Sequence, residues 1–386
     1  MHITTQNFLD LKEASLRDFL SLKIPEGLHL DYKVALSGSS DKEKKREFLK
    51  DVTAMANAAG GHLLLGVKEP MDGLSIDNQL VGLDDGVALA QDLERLASSS
   101  VDPRIPGLKI VPIQLDNGKF CVAIHIPPSL SRPHMVNHTG HRSFYARHSE
   151  SSFPMTTHEV REAVLTSASA ESRARQQINM RLDEVREILN SNPEAAFFIQ
   201  ATPLIAPESA WNVLDIAYEN ILRGKTRRNQ YKPYCNLTSD IAPRPTIDGL
   251  LGKDQRDKPN WETEVHRTGY VSVFYREIYK PDVGEVTRYV LHSDYCDLFR
   301  AFCHLLKELL DVSGTDVPYL VSCAYLKAKG TCIATGNHSY KYSKPYEKEE
   351  ILWPEHVRAT GADPMTIAEE LSRELFNAFG FKDVVK

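Results

Sequence analysis

The stretch from Gly27 to Val67 constrains the fold more than any other part of the chain, because its periodicity changes twice within forty residues. In Gly27–Leu36, Leu28, Leu30, Tyr32, Val34 and Leu36 alternate with His29, Asp31, Lys33 and Ala35, which predicts a strand with one apolar and one polar face. A charged segment, Asp41–Glu47, then opens a helix whose apolar residues Phe48, Leu49, Val52, Met55 and Ala56 recur at helical spacing. Gly60 is placed to end that helix in the left-handed conformation that other residues avoid. Leu63-Leu64-Leu65-Gly66-Val67 has no polar alternation, as expected of a strand covered on both faces. A strand–helix–strand unit of this kind specifies an α/β protein.

The unit also gathers acidic residues. Asp31 and Lys33 project from the same strand face, about 7 Å apart at a rise of ~3.3 Å per residue. Glu26 precedes the strand, where a turn can swing it towards Asp31, and Glu69 emerges just past the second strand. Carboxylates at strand ends can hold a divalent cation, and a cation held in that way can hydrolyse phosphodiesters. An exposed Asp31–Lys33 pair with no further role is the competing interpretation.

Length and composition set the frame. A chain of 386 residues exceeds one ordinary core and implies two domains. With 42% hydrophobic and 25% charged residues it is globular rather than disordered. Formal net charge is −6, and residues 1–160 carry 17 basic against 20 acidic side chains, so nucleic acid would have to meet a local basic patch. The six cysteines show no CxxC spacing, and no leader or membrane-length apolar run is evident. Reduced, buried thiols in a cytoplasmic protein are expected.

Further along, an amphipathic helix is predicted over Val87–Leu96 and strands near Lys109–Leu115 and Phe120–Ile126, joined at Asn117-Gly118. A second hairpin turns near Thr139-Gly140 and returns through Arg142–Arg147. A helical stretch from about His158 to Leu189 follows. The second half is expected to hold strands at Phe197–Ala201, Tyr270–Tyr275, Thr287–His292 and Tyr319–Leu326, and helices at Ala210–Leu222 and Tyr295–Leu310. A final helix is opened by Asp363-Pro364. Arg223, Lys225, Arg227 and Arg228 form a basic cluster, and Gly252–Asn260 a charged loop. His134, His138, His141 and His148 have a spacing that could bind zinc, or they are exposed or nucleic-acid-facing histidines. The Gly60-Gly61 block is no Walker loop, since it lacks the glycine–lysine–hydroxyl order, so no nucleotide cofactor is expected.

Glu26-Gly-Leu-His-Leu-Asp31-Tyr32-Lys33, followed by Thr53–Gly61 and His62–Val67, resembles the Schlafen AlbA-type domain family. Arg132-Pro133, Phe144–His148 and Met155-x-x-x-Glu159-Val160 resemble its later arginine-bearing hairpin, and the likeness spans roughly residues 20–165. It implies a mixed-sheet α/β (α+β) fold with an AlbA-like nucleic-acid-binding or nuclease domain over 1–165. A helical linker over 166–193 and a second α/β domain over 194–386, with a sensing or regulatory role, complete the expected organisation.

By that resemblance Glu26, Asp31 and Glu69 would ligate Mg²⁺ or Mn²⁺, with Lys33 stabilising developing charge, in a divalent-metal-dependent endoribonuclease. Arg132, Arg142 and Arg147 would hold the backbone of the nucleic acid, and Tyr145 would stack on a base, unless that hairpin is solvated with Tyr145 in the core. The substrate would be RNA, tRNA-like, rather than DNA. A homodimer would complete a clamp, and an anti-phage defence role with a trigger or partner at the C-terminal domain would follow. A non-catalytic nucleic-acid-binding regulator of the same fold is the alternative. Asp31 and Glu69 are each exchanged in length for the family's usual Glu and Asp.

Overall fold

The computed structural model describes residues 8–36, 38–190, 194–205, 211–223, 243–253, 261–276, 289–313, 317–335, 341–359 and 362–381. Lys225, Arg227 and Arg228 of the basic cluster, most of the charged loop, and the beginnings of the strand expected from Thr287 and of the helix expected from Ala210 lie outside the described residues. The chain divides into two compact units, residues 1–170 and 171–386.

In the first unit, α1 (Glu13–Ser21) precedes β1 (Leu30–Lys33), which is shorter than the alternation predicted, and α2 (Asp41–Asn57) crosses to β2 (Gly61–Leu65). The two strands are parallel, with Asp31 opposite Leu63 and Lys33 opposite Leu65. The Ser40 hydroxyl accepts from the Glu43 N–H at the start of α2, and Asp41 and Glu43 complement the helix dipole. At its far end, the Gly60 N–H donates to the Met55 carbonyl and Gly60 has φ +73°. A Cβ at Gly60 would lie 2.6 Å from the Ile126 carbonyl oxygen, and one at Gly61 2.5 Å from that of His29, so both positions require glycine.

After α3 (Ile76–Gln79), α4 (Gly86–Ser100) and β3 (Val101–Asp102), β4 (Lys109–Gln114) and β5 (Phe120–Ile126) form the first hairpin. The sheet order is β1-β2-β5-β4. Leu63, Leu65, Val122 and Ile124 pack on one face with α2 and α4 residues, whereas Leu30, Tyr32, Leu64 and Ala123 pack on the other with Leu16, Phe19 and Leu20 of α1. The unpatterned apolar run of β2 is thus buried from both sides. The second hairpin, β6 (Met135–His138) and β7 (His141–His148), turns at Thr139-Gly140, both with positive φ, and pairs on to β8 (Ser151–Pro154). The helix α5 (Thr157–Asn190) then runs unbroken for 34 residues.

The second unit is built on an antiparallel sheet. Its strands begin with β9 (Ala196–Pro203), and α6 (Ile216–Leu222) leads to β10 (Arg244–Pro245), β11 (Gly249–Lys253), β12 (Trp261–His266) and β13 (Val271–Arg276). Beyond β14 (Tyr289–Leu291) and α7 (His292–Ser313) come β15 (Tyr319–Leu326), β16 (Cys332–Thr335), β17 (Lys341–Tyr342), β18 (Glu350–Leu352) and β19 (His356–Arg358). The helix α8 (Met365–Ala378) closes the fold. The sheet runs β10-β11-β12-β13-β9-β15-β18, with β19 also on β15.

One face of this sheet carries Phe197, Ile199, Val273, Tyr325 and Val321 in a core with Leu298, Phe299 and Phe302 of α7 and Leu371 and Leu375 of α8. The other face carries a polar row, since the register aligns Glu264, Ser272, Gln200 and Ser322 across four strands. Arg181 of α5 reaches this row at Glu264, 3.3 Å away, and Arg186 pairs with Glu350 at 2.6 Å.

Candidate functional site

Asp31 and Lys33 share the β1 face that looks towards α2, as their spacing predicts, and there they meet two partners. The Lys33 ammonium lies 2.8 Å from Asp31 Oδ2 and 3.4 Å from Oδ2 of Asp51, on α2. From β7, Arg147 Nε donates to the Gly27 carbonyl at 2.9 Å, while Nη2 reaches the Leu30 carbonyl and Asp31 Oδ1 at 3.4 and 3.3 Å. Asp31 and Arg147 are each 3% exposed and Asp51 5%, whereas the Lys33 side chain keeps 24% of its surface open. Two acids and two bases therefore neutralise each other at the edge of the sheet. Burial opposes the Lys33 charge, but Asp51 and Asp31 outweigh it and hold the ammonium above its ordinary range. Asp51 is pushed upward by burial and by Asp31, against the pull of Lys33.

Glu26 and Glu69 sit beside this cluster. The segment before β1 folds back along the strand's outer edge: the Gly27 N–H donates to the Leu30 carbonyl, and Glu26 Oε1 accepts the Tyr32 N–H at 3.0 Å. An edge strand otherwise leaves such donors unpaired. Glu69 Oε1 in turn accepts the Glu26 N–H at 3.0 Å. Burial raises the Glu26 carboxyl above its usual range; the Tyr32 N–H opposes that rise, and the charges of Asp31 and Glu69 add to it. Glu26 therefore feels both of the other predicted carboxylates. Oxygen donors of this kind suit Mg²⁺ or Mn²⁺. Each is nonetheless committed to a backbone N–H or a cation, and no group of three or more metal-ligating side chains is assembled among the described residues. The donors fit the metal; their arrangement does not.

The hairpin residues divide. Arg142 is exposed on β7, opposite Asn137, and is open to a phosphate. Arg132 is half-buried and donates from Nη1 to the Ala58 carbonyl at 3.0 Å. Arg147 is not a surface clamp, because its guanidinium is enclosed against Asp31 and the turn before β1. Tyr145 is in the core with α2, its hydroxyl 2.8 Å from His141 Nε2, so its ring face is not offered to a base. The zinc reading of the histidines fails on geometry. His134 is buried against the Pro103 carbonyl, His138 meets Ser100, His141 meets Tyr145 and His148 meets Glu159, each with its own partner.

The Schlafen, AlbA_2 family profile matches residues 26–156, the span that holds the acidic cluster, Lys33 and the hairpin arginines. Residues 26–156 form a Schlafen AlbA-type domain. A domain of this family points to a nucleic-acid-related function. Among solved structures, the chain is similar to the N-terminal domain of a protein from Nitrosomonas europaea described as ATP-dependent DNA helicase RecG-related. Identity is 22%, covering 38% of this chain and 94% of that one, with a TM-score of 0.27, too low for the likeness to carry weight. No curated protein matches the chain. No helix among the described residues is long and apolar enough to cross a membrane.

Two residues of the AlbA-type domain escaped the sequence reading. Asn57 is buried and ties both strands of the second hairpin to α2. Its Nδ2 donates to the His134 and Tyr145 carbonyls and its Oδ1 accepts the His134 N–H. Asp51 sits on the buried face of α2 among Phe48, Leu49, Val52 and Met55. A charged residue in register with an apolar helix face was the available signal for it.

Proposed function

We propose that the AlbA-type domain binds nucleic acid at the β1 edge and hydrolyses its phosphodiester backbone, RNA in preference to DNA. The observation that carries this reading is Lys33, a half-open ammonium held between two buried carboxylates and close enough to Glu26 to act on its charge. An ammonium fixed in a partly dry setting stabilises the charge that grows on phosphate oxygens as the bond to phosphorus breaks, and it does so without reorganising. Arg142 gives the exposed hairpin a backbone contact. The preference for RNA rests on the resemblance to the family's RNA-cleaving members. To hold Mg²⁺ or Mn²⁺, Glu26, Asp31 and Glu69 would have to leave the backbone N–H and cation partners they have here.

The test is to incubate the purified chain with tRNA, ribosomal RNA and single- and double-stranded DNA, with Mn²⁺ or with EDTA. RNA cleavage is expected with Mn²⁺, and at least about tenfold less of it after Glu26→Ala or Asp31→Ala. Cleavage undiminished in both variants sinks the assignment of the site. Binding without cleavage under every condition favours the non-catalytic regulator.

A further inference from the structure

Among the described residues of α2, Asp51 is the buried side chain that carries a charge, and its surroundings do not explain it as packing. Moving a carboxylate out of water costs several kcal/mol unless it is paired. The partners it has are specific: Ser152 Oγ donates to Oδ1 at 3.2 Å, and Lys33 lies 3.4 Å from Oδ2. Ser152 comes from β8, Asp51 from α2 and Lys33 from β1, so partners from two other elements meet at the Asp51 carboxylate.

We infer that Asp51 is a positioning residue for Lys33, resting on the function proposed above. Lysine has a flexible four-carbon stem, and Asp31 alone would hold its ammonium from one side only. Asp51 pulls from the α2 side and fixes the ammonium between two acids, 2.8 and 3.4 Å away. An ammonium has three N–H donors. Both contacts are ion pairs, and the part of the ammonium's surface that stays open is where a phosphate oxygen would enter. Ser152 holds the Asp51 carboxylate in the orientation that makes this possible.

The experiment uses the full chain as wild type, Asp51→Asn, Asp51→Glu and Ser152→Ala. NMR of protein labelled with ¹⁵N-lysine reads the Lys33 ammonium directly, with Lys33→Arg identifying its signal. Wild type should give a resolved, slowly exchanging NH₃⁺ signal, absent in Asp51→Asn and restored in Asp51→Glu. With RNA and Mn²⁺, Asp51→Asn should lower kcat by about tenfold to a hundredfold while KM stays within about threefold. If Asp51→Asn does not fold, Ser152→Ala serves, with a weakened Lys33 signal and a smaller fall in kcat. A Lys33 signal unchanged in the folded variants, or an unchanged kcat in an active protein, overturns the inference. A wild type that cleaves nothing but shows the Asp51-dependent Lys33 signal upholds the positioning and overturns the nuclease reading instead.

Discussion

Both units bury polar groups on a sheet, and they do so in opposite ways. In the second unit, the row Glu264–Ser272–Gln200–Ser322 is mostly neutral and follows from strand register, with Arg181 meeting its one carboxylate. In the first, four full charges, Asp31, Lys33, Asp51 and Arg147, are drawn together from β1, α2 and β7. A neutral row is compatible with a sheet chosen for packing. A four-charge cluster is a poor way to gain stability, since its desolvation commonly equals or exceeds its attraction. The contrast places the stability of the second unit in its aromatic core and leaves the charged cluster of the first as the part that packing does not account for.

The contrast can be broken at four points. Arg147→Met should have the largest effect, about 3–5 kcal/mol, because it leaves Asp31 buried beside fewer partners and frees the turn before β1. Hydrogen exchange read peptide by peptide should show the loss in β1 and β7. Unchanged protection there would mean that the cluster holds nothing together. Phe197→Ala, at the centre of rings from Tyr295, Tyr325, Phe299 and Trp353, should cost a similar 3–5 kcal/mol or slightly less. Its exchange should rise in β9 and β15 and leave RNA cleavage intact, and a nuclease-dead Phe197→Ala would contradict the division of labour.

A smaller effect comes from His125, paired with His62 at 3.2 Å on neighbouring strands of the first unit. Burial lowers both, His125 well below its usual value and His62 to about 4. The unfolded chain takes up these protons near pH 6.5 and the folded one does not. Stability is therefore fully present above pH 6.5 and falls on acidification by about 1.4 kcal/mol per pH unit for each imidazole, the loss from His62 ending at about pH 4. His125→Gln should flatten that slope in acid-unfolding curves by about half. Arg142→Ala should shift stability least, by no more than about 0.5 kcal/mol. Its signature lies in binding: the salt dependence of RNA affinity should lose about one phosphate contact, which fluorescence anisotropy across a salt series measures.

Much of the first unit was legible because its local signals agree with its tertiary context. The strand–helix–strand unit, both hairpin turns and the shared face of Asp31 and Lys33 all come from period, glycine and alternation. Arg147 was misplaced for a reason visible in the same rule. It lies two residues after Tyr145, hence on the same side of β7, and a core Tyr145 carries Arg147 inward. Asp51 carried one signal, a charge in register with an apolar helix face, but its partners are set only by the approach of β1 and β8. In the second unit, β11 and β12 were hidden by the charged segment between them, since strands that pair across a long connection leave no turn signature.

The Gly60-Gly61 pair has a consequence for how chains of this kind can change. Each glycine is held by backbone that would collide with a methyl group, the Ile126 carbonyl in one case and that of His29 in the other. Neither touches the acidic cluster through a side chain. The glycines fix the backbone path whichever side chains the strand carries. The pair is thus a signature of shape rather than of activity. Under the proposed function, action on nucleic acid has to be judged on other residues, Glu26, Asp31, Lys33 and Asp51.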